Sequence, residues 1–222
     1  MLHRFLAAAI GLGLCWSVAA FGQSDEKNAT AADEDAIFLV ANPRFRDIEY
    51  RNTVLIAAPM PNGGHVGVIL NRPTNRSLIS LFPEHEPSKR VTETVRYGGP
   101  FSSSALVAII KAENNPGLGA MQLMTNLYIA FRSTTIDKVI ESTPNEARYF
   151  VGFVGWKPGE LNAEVDRGLW AVVRADRATV FQKDTSRLWE ELIERSRLLT
   201  AKLDTAEGSR HPLPSPLAAL GD

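Results

Sequence analysis

Between Thr53 and Leu70 the chain runs apolar, turns, and runs apolar again. TVLIAA (53–58) and VGVIL (66–70) flank a segment containing Asn62-Gly63-Gly64. Glycine and asparagine take positive φ easily, so this reads as the turn of an antiparallel hairpin. Gly67, inside the second run, marks a bulge or a place where another backbone comes close. The second run meets Asn71-Arg72-Pro73. Proline has no N–H to give a ladder and holds the residue before it extended, so the strand ends here. A hairpin this apolar on both faces needs further strands and covering layers.

The rest of the chain supplies them. Ile37–Ala41, 105–111, 127–131, 149–155 and 169–173 are short runs rich in β-branched and aromatic residues, bounded by turn signals. Three segments read as helix: 134–141, 159–167 and 184–203. In the last, Asp184 is a good N-cap, and Leu188, Leu192, Ile193, Leu199 and Leu203 recur at helical spacing. Such a helix is about 30 Å long and packs on a sheet. The periodicities place Trp170, Phe153 and Leu192 in one core. Strands outnumber helices, so the class is α+β.

The ends differ from this middle. Arg4 precedes the uncharged run 5–21, and Ala20-Phe21-Gly22 puts small residues before Gln23. That order is a secretory signal peptide, 1–22, cleaved near Gln23; a retained anchor is the alternative, at the lower limit of spanning length. The single cysteine, Cys15, lies inside it, so a mature chain has neither disulfide nor thiolate nucleophile. Residues 23–36 are polar and acidic and read as a flexible linker. Residues 204–222 carry Pro212, Pro214 and Pro216 and read as a disordered tail. The folded part is one domain, 37–203. A net charge of −1 gives no reason to expect nucleic acid.

Candidate sites each stand beside a plainer reading. Arg72 is too costly to bury unpaired. It faces water, meets a carboxylate such as Asp47, or meets an anionic ligand; the plain alternative is a strand exit in which Asn71 bonds its own backbone. Gly98-Gly99, before Pro100, lets a backbone or ligand approach closely. Asn71, Arg72, Gly98, Gly99 and Trp156 therefore form a candidate binding rim, in which Trp156, flanked by Lys157 and Glu160, could stack a ligand. Its plain alternative is a loop tryptophan packed over the following helix. Gly63-Gly64-His65-Val66-Gly67 opens a strand rather than a helix, which argues against a phosphate loop. His65, His85 and His211 stand apart, so no metal set is proposed. Ser102-Ser103-Ser104 lacks the nucleophile-elbow pattern and reads as turn or helix cap. No catalytic set and no cofactor are assigned.

Taken together, FLVANPRFRDIEYRNTVLIAA, GGHVGVILNRP, YGGP and GFVGWKPGELNAEVDRGLW, in this order across 37–195, resemble the YqgE/AlgH family of bacterial proteins. The resemblance implies a mostly antiparallel, bifurcated sheet closed into a pseudo-barrel with a few flanking helices. It implies no established reaction; one member is named as a proposed transcriptional regulator. This chain departs from the family pattern in its export signal, in Ile48 and Tyr50, and in Glu160 and Asn162.

These observations favour a non-enzymatic periplasmic or secreted binding or interaction protein, with a protein or anionic small molecule as partner. After signal cleavage no membrane span remains. A cytoplasmic regulator is the alternative if the N-terminal segment is not a signal peptide. An enzyme using Asp47, Asn71 and Arg72 around one cleft is the third reading.

Overall fold

The computed structural model describes residues 36–208, with side chains to residue 202. The expected signal peptide, nearly all of the linker and the proline-bearing end of the tail lie outside the described residues. The strands are β1 (Ile37–Ala41), β2 (Val54–Pro59), β3 (His65–Ile69), β4 (Arg96–Tyr97), β5 (Phe101–Lys111), β6 (Ala120–Met124), β7 (Leu127–Ala130), β8 (Ala147–Trp156) and β9 (Trp170–Arg174). The helices are α1 (Leu78–Leu81), α2 (Ser133–Ser142), α3 (Glu160–Asp166), α4 (Arg177–Val180) and α5 (Leu188–Gly208). The strands form one curled sheet in the order β6-β7-β5-β8-β3-β2-β1-β9, with β4 beside β8. Every pairing is antiparallel except β4–β8, and the sheet makes a half-barrel with a few helices.

The hairpin forms as its residues dictate. Gly63 takes φ +80, and Gly64 N–H donates to Asn62 Oδ1 at 3.0 Å. Gly67 keeps regular register with Ala57; a Cβ there would lie 2.3 Å from the Ile56 carbonyl oxygen. Its role is close approach, not a bulge.

The sheet bifurcates along β8. The first half of β8 pairs with β5 and β4, its last residues with β3. Gly152, at φ +72, is the joint. Before it, Phe150 faces the inner core while Tyr149 and Val151 face outward. After it, Phe153 is inner, and Val154 and Trp156 are outer. One inserted residue thus flips the face of every side chain that follows.

Three cores result. The inner one is filled by Phe38, Val40, Ile56, Leu70, Ile109 and Phe150, and α5 lies on it through Leu188, Leu192 and Ile193. A second lies beneath α2, and a third beneath α3 around Trp156 and Trp170. Trp170 therefore does not share a core with Leu192 and Phe153; it sits on the opposite face of β9 from Ala171.

Other differences have local causes. Asp184 does not cap α5: its Oδ1 accepts from Ser186 N–H at 2.9 Å, two residues ahead of the helix. Leu199 is exposed although it continues the apolar stripe, because α5 outruns the sheet beneath it; Leu203 has its side chain outside the described residues. The helix reaches Gly208, past the expected end at 203. Ser102 to Ser104 form the exposed start of β5, neither turn nor cap. No described helix is long and apolar enough to cross a membrane.

Candidate functional site

The exit of β3 runs antiparallel to the segment around β4. Ile69 N–H donates to the Gly98 carbonyl at 2.9 Å, Tyr97 N–H to the Arg72 carbonyl at 2.8 Å, and Pro73 bridges to Arg96. Asn71, Arg72, Gly98 and Gly99 therefore come together at one end of the sheet. Their polar and steric capacity is largely taken by the protein itself. Asn71 Oδ1 accepts from Val54 N–H and its Nδ2 donates to the Asn52 carbonyl, both at 2.9 Å. Arg72 Nη2 lies 3.3–3.4 Å from the carbonyls of Ile48, Glu49 and Arg51. Asp47 is not among these partners; its Oδ1 accepts instead from Glu49 N–H at 2.8 Å. Gly98 and Gly99 press against β8: a Cβ would stand 2.2 Å from the Gly152 oxygen or 2.4 Å from the Phe153 oxygen. The close approach these glycines permit is that of β8.

Trp156 is elsewhere. It pairs with His65 at the opposite end of β3 and is 5% exposed. Its Nε1 donates to Glu164 Oε2 at 2.9 Å, and Trp170 Nε1 donates to the same oxygen at 2.8 Å. Glu160 Oε2 accepts from Lys157 N–H and helps start α3. A buried, hydrogen-bonded indole offers no face to a ligand, so Trp156 does not join the rim.

What the sequence reading missed lies on the other side of Arg72. Successive residues of a strand point to opposite faces, so Tyr97 packs outward against the third core while Arg96 turns inward. Arg96 is opposite Phe150 in the parallel β4–β8 pair, and Arg148 is two residues before Phe150 on the same face. Two buried guanidinium groups thus sit at one end of the inner core, beneath residues 180–185. Arg148, 1% exposed, is fully engaged. Its Nε and Nη2 donate to the two carboxylate oxygens of Glu93 at 2.9 and 3.1 Å. Its Nη1 donates to the carbonyls of Val180 and Gln182 at 2.6 and 3.1 Å. Arg96, 5% exposed, donates from Nη1 to the Leu70 carbonyl at 3.0 Å and Thr185 Oγ1 at 3.1 Å. Its Nη2 makes one long contact, 3.4 Å, to the Lys183 carbonyl. Among the described residues its Nε–H has no partner. Burial, then the charge of Arg148, push the Arg96 guanidinium down to about 10, and Glu93 opposes this.

Beside this pair opens a cleft of about 550 Å³ whose walls include Pro73, Glu93, Thr94, Arg96, Asn145 and Lys183. Asp47, Asn71 and Arg72 do not line it. Counting Arg148 behind Glu93, three cations stand against one carboxylate. Among the described residues no group of three His, Cys, Asp or Glu side chains is placed to hold a metal ion. A second hollow, about 530 Å³, is lined by His85, Ser88, Ser104 and Asp137. His85 Nδ1 lies 2.7 Å from Ser88 Oγ, but Ser88 is buried on the same short turn, and the contact ties that turn.

The half-barrel that divides along one strand, with a few helices, places the chain in the α+β class. The family model described as AlgH-like matches residues 38–199, and the chain belongs to that family. It is 30% identical over 166 residues to a UPF0301 protein of Thermobifida fusca, covering 71% of this chain and 84% of the relative. It is 26% identical over 178 residues to a UPF0301 protein of Mycobacterium leprae, covering 79% and 86%. The solution structure of the AlgH protein from Pseudomonas aeruginosa superposes with a TM-score of 0.57 at 17% identity, covering 86% of this chain and all of that one. A crystal structure from Corynebacterium diphtheriae gives a TM-score of 0.59 at 20% identity, covering 83% and 90%. At those identities the likeness concerns the fold alone.

Proposed function

We propose that this chain is an exported, non-enzymatic binding protein that takes a small ligand in the cleft beside Pro73 and Arg96. One observation carries the reading: a buried guanidinium with an unpartnered N–H forms part of the wall of a hollow of about 550 Å³. That volume lies within the ligand-pocket range of about 300–1,000 Å³. Binding is preferred to catalysis because Glu93, the carboxylate of the wall, has both oxygens held by Arg148. A locked carboxylate is a poor general base. Export rests on the basic, apolar and small-residue order of residues 4–22.

Two experiments test the two halves. N-terminal sequencing of the native protein is expected to begin near Gln23; an intact Met1 in the cytosolic fraction would overturn export. For the cleft, a thermal-shift screen of small metabolites compares the chain with Thr94→Trp, which fills the mouth from an exposed position. A ligand at 100 times its Kd stabilises by about 2.7 kcal/mol, a shift of roughly 5–10 °C at this size. The expected result is a hit lost in Thr94→Trp. No hit, or hits unchanged by that substitution, would sink the cleft reading.

A further inference from the structure

We infer that the group recognised in this cleft is an oxyanion, a phosphate or a carboxylate, held by the side-on edge of Arg96 with Lys183 nearby. The inference rests on the cleft reading above and adds the chemistry of the ligand. A guanidinium presents Nε–H and one Nη2–H as a parallel fork that matches two oxygens of a carboxylate or phosphate. Both forms of that edge are on view in this protein. In Arg148 it grips Glu93, Nε to one oxygen and Nη2 to the other. In Arg96 the same edge holds no carboxylate: Nε–H is unpartnered and Nη2 has only its long contact to the Lys183 carbonyl.

An unsatisfied donor on a buried cation is an expensive feature, and an acceptor that arrives from outside removes the penalty. Charge points the same way. Arg96, Arg148 and Lys183 face one carboxylate, so the site carries two positive charges in excess, and a singly or doubly charged anion brings it toward neutrality. Glu93 also repels an incoming anion less than its charge suggests, because Arg148 already neutralises it. The Arg96 Nε is buried at the cleft wall, so docking requires a local shift of that wall.

The test is calorimetric titration of the full chain with inorganic phosphate and, separately, with succinate, at ionic strength fixed by chloride. The expected result is saturable binding of at least one of them; which one binds tells phosphate from carboxylate. Arg96→Lys keeps the charge and loses the fork, and should weaken binding tenfold or more. Should that buried substitution fail to fold, Lys183→Glu reverses a charge on an exposed side chain and should weaken binding at least tenfold with the melting temperature unchanged. Absence of saturable binding for both anions overturns the inference, as does wild-type affinity in Lys183→Glu together with any folded Arg96→Lys. If metabolite hits blocked by Thr94→Trp persist in that case, the cleft reading survives and only the oxyanion is lost. If Thr94→Trp changes nothing, both fall.

Discussion

The dipeptide Arg-Tyr occurs twice in neighbouring parallel strands, as Arg96-Tyr97 in β4 and Arg148-Tyr149 in β8, two residues out of register. At the second, both side chains are closed: Arg148 holds Glu93 and two carbonyls, and Tyr149, buried, donates to the Pro144 carbonyl at 3.0 Å. At the first, both are part-open: Arg96 keeps an unpartnered N–H at a cleft, and half-buried Tyr97 donates to Glu49 Oε2 at 3.0 Å near the surface. The same chemistry thus fastens the end of the inner core in one strand and faces a hollow in the other. The difference is what comes from afar, since Glu93 reaches one guanidinium and, among the described residues, no carboxylate reaches the other.

The largest expected effect comes from taking that carboxylate away. Glu93→Ala leaves Arg148 charged, buried and without its counter-ion, and should cost about 3–5 kcal/mol, read as a lower midpoint in urea. The double variant Glu93→Ala/Arg148→Met removes the stranded charge and should recover most of the loss. If Glu93→Ala alone leaves the midpoint where it was, Arg148 is not fastened as described. Arg96→Met is the matching change on the open side. It gives up three hydrogen bonds, one of them long, but buries no charge, so the loss should stay below about 2 kcal/mol. A loss as large as that of Glu93→Ala would make the two arginines equivalent and erase the contrast.

Much of the fold was legible because β-branched runs and Gly-Asn turns act locally. IFLVA, TVLIAA and VGVIL carry a strong strand preference, and Asn62-Gly63-Gly64 turns the hairpin of the last two. β4 was not legible, since two residues carry no period, and β6, AMQLM, lacks the β-branched signature. The parity switch at Gly152 was invisible because YFVGFVG reads as one strand whether or not its faces flip. Of the site, the meeting of Asn71 and Arg72 with Gly98 and Gly99 could be read from Pro73 and the glycines. Arg96 and Arg148 could not: an arginine in an apolar run suggests water, and the carboxylate that permits the burial of Arg148 is 55 residues away. Trp156 misled for a related reason. Lys157 and Glu160 are its neighbours in sequence, while its partner in space is Glu164, one further helical turn on.

The tyrosines extend the contrast at smaller amplitude. Tyr149→Phe leaves the Pro144 carbonyl without its donor and should lower stability by about 1 kcal/mol. Tyr97→Phe, at a site water can reach, should lower it by no more than a few tenths of that order. Equal losses in urea melts would mean the two strands are closed alike.

The smallest effect is a titration. Burial pushes the Tyr97 hydroxyl above its ordinary value, Glu49 pushes it further as hydrogen-bond acceptor and as charge, and Arg72 pulls it back. Burial alone raises Tyr149. Both hold their proton more tightly folded than unfolded. Each therefore contributes stability that is complete below the ordinary tyrosine value of about 10 and is lost as pH rises through the folded value. Glu49→Gln keeps an acceptor but removes the charge, so Tyr97 should titrate at lower pH than in the native chain. Arg72→Ala removes the opposing cation, so Tyr97 should titrate at higher pH. Tyr149, facing neither group, should not move in either variant. Ring-carbon NMR of labelled tyrosine resolves the two. A shift of Tyr149 along with Tyr97 would show one shared electrostatic environment, and a Tyr97 unmoved by both changes would detach it from Arg72 and Glu49.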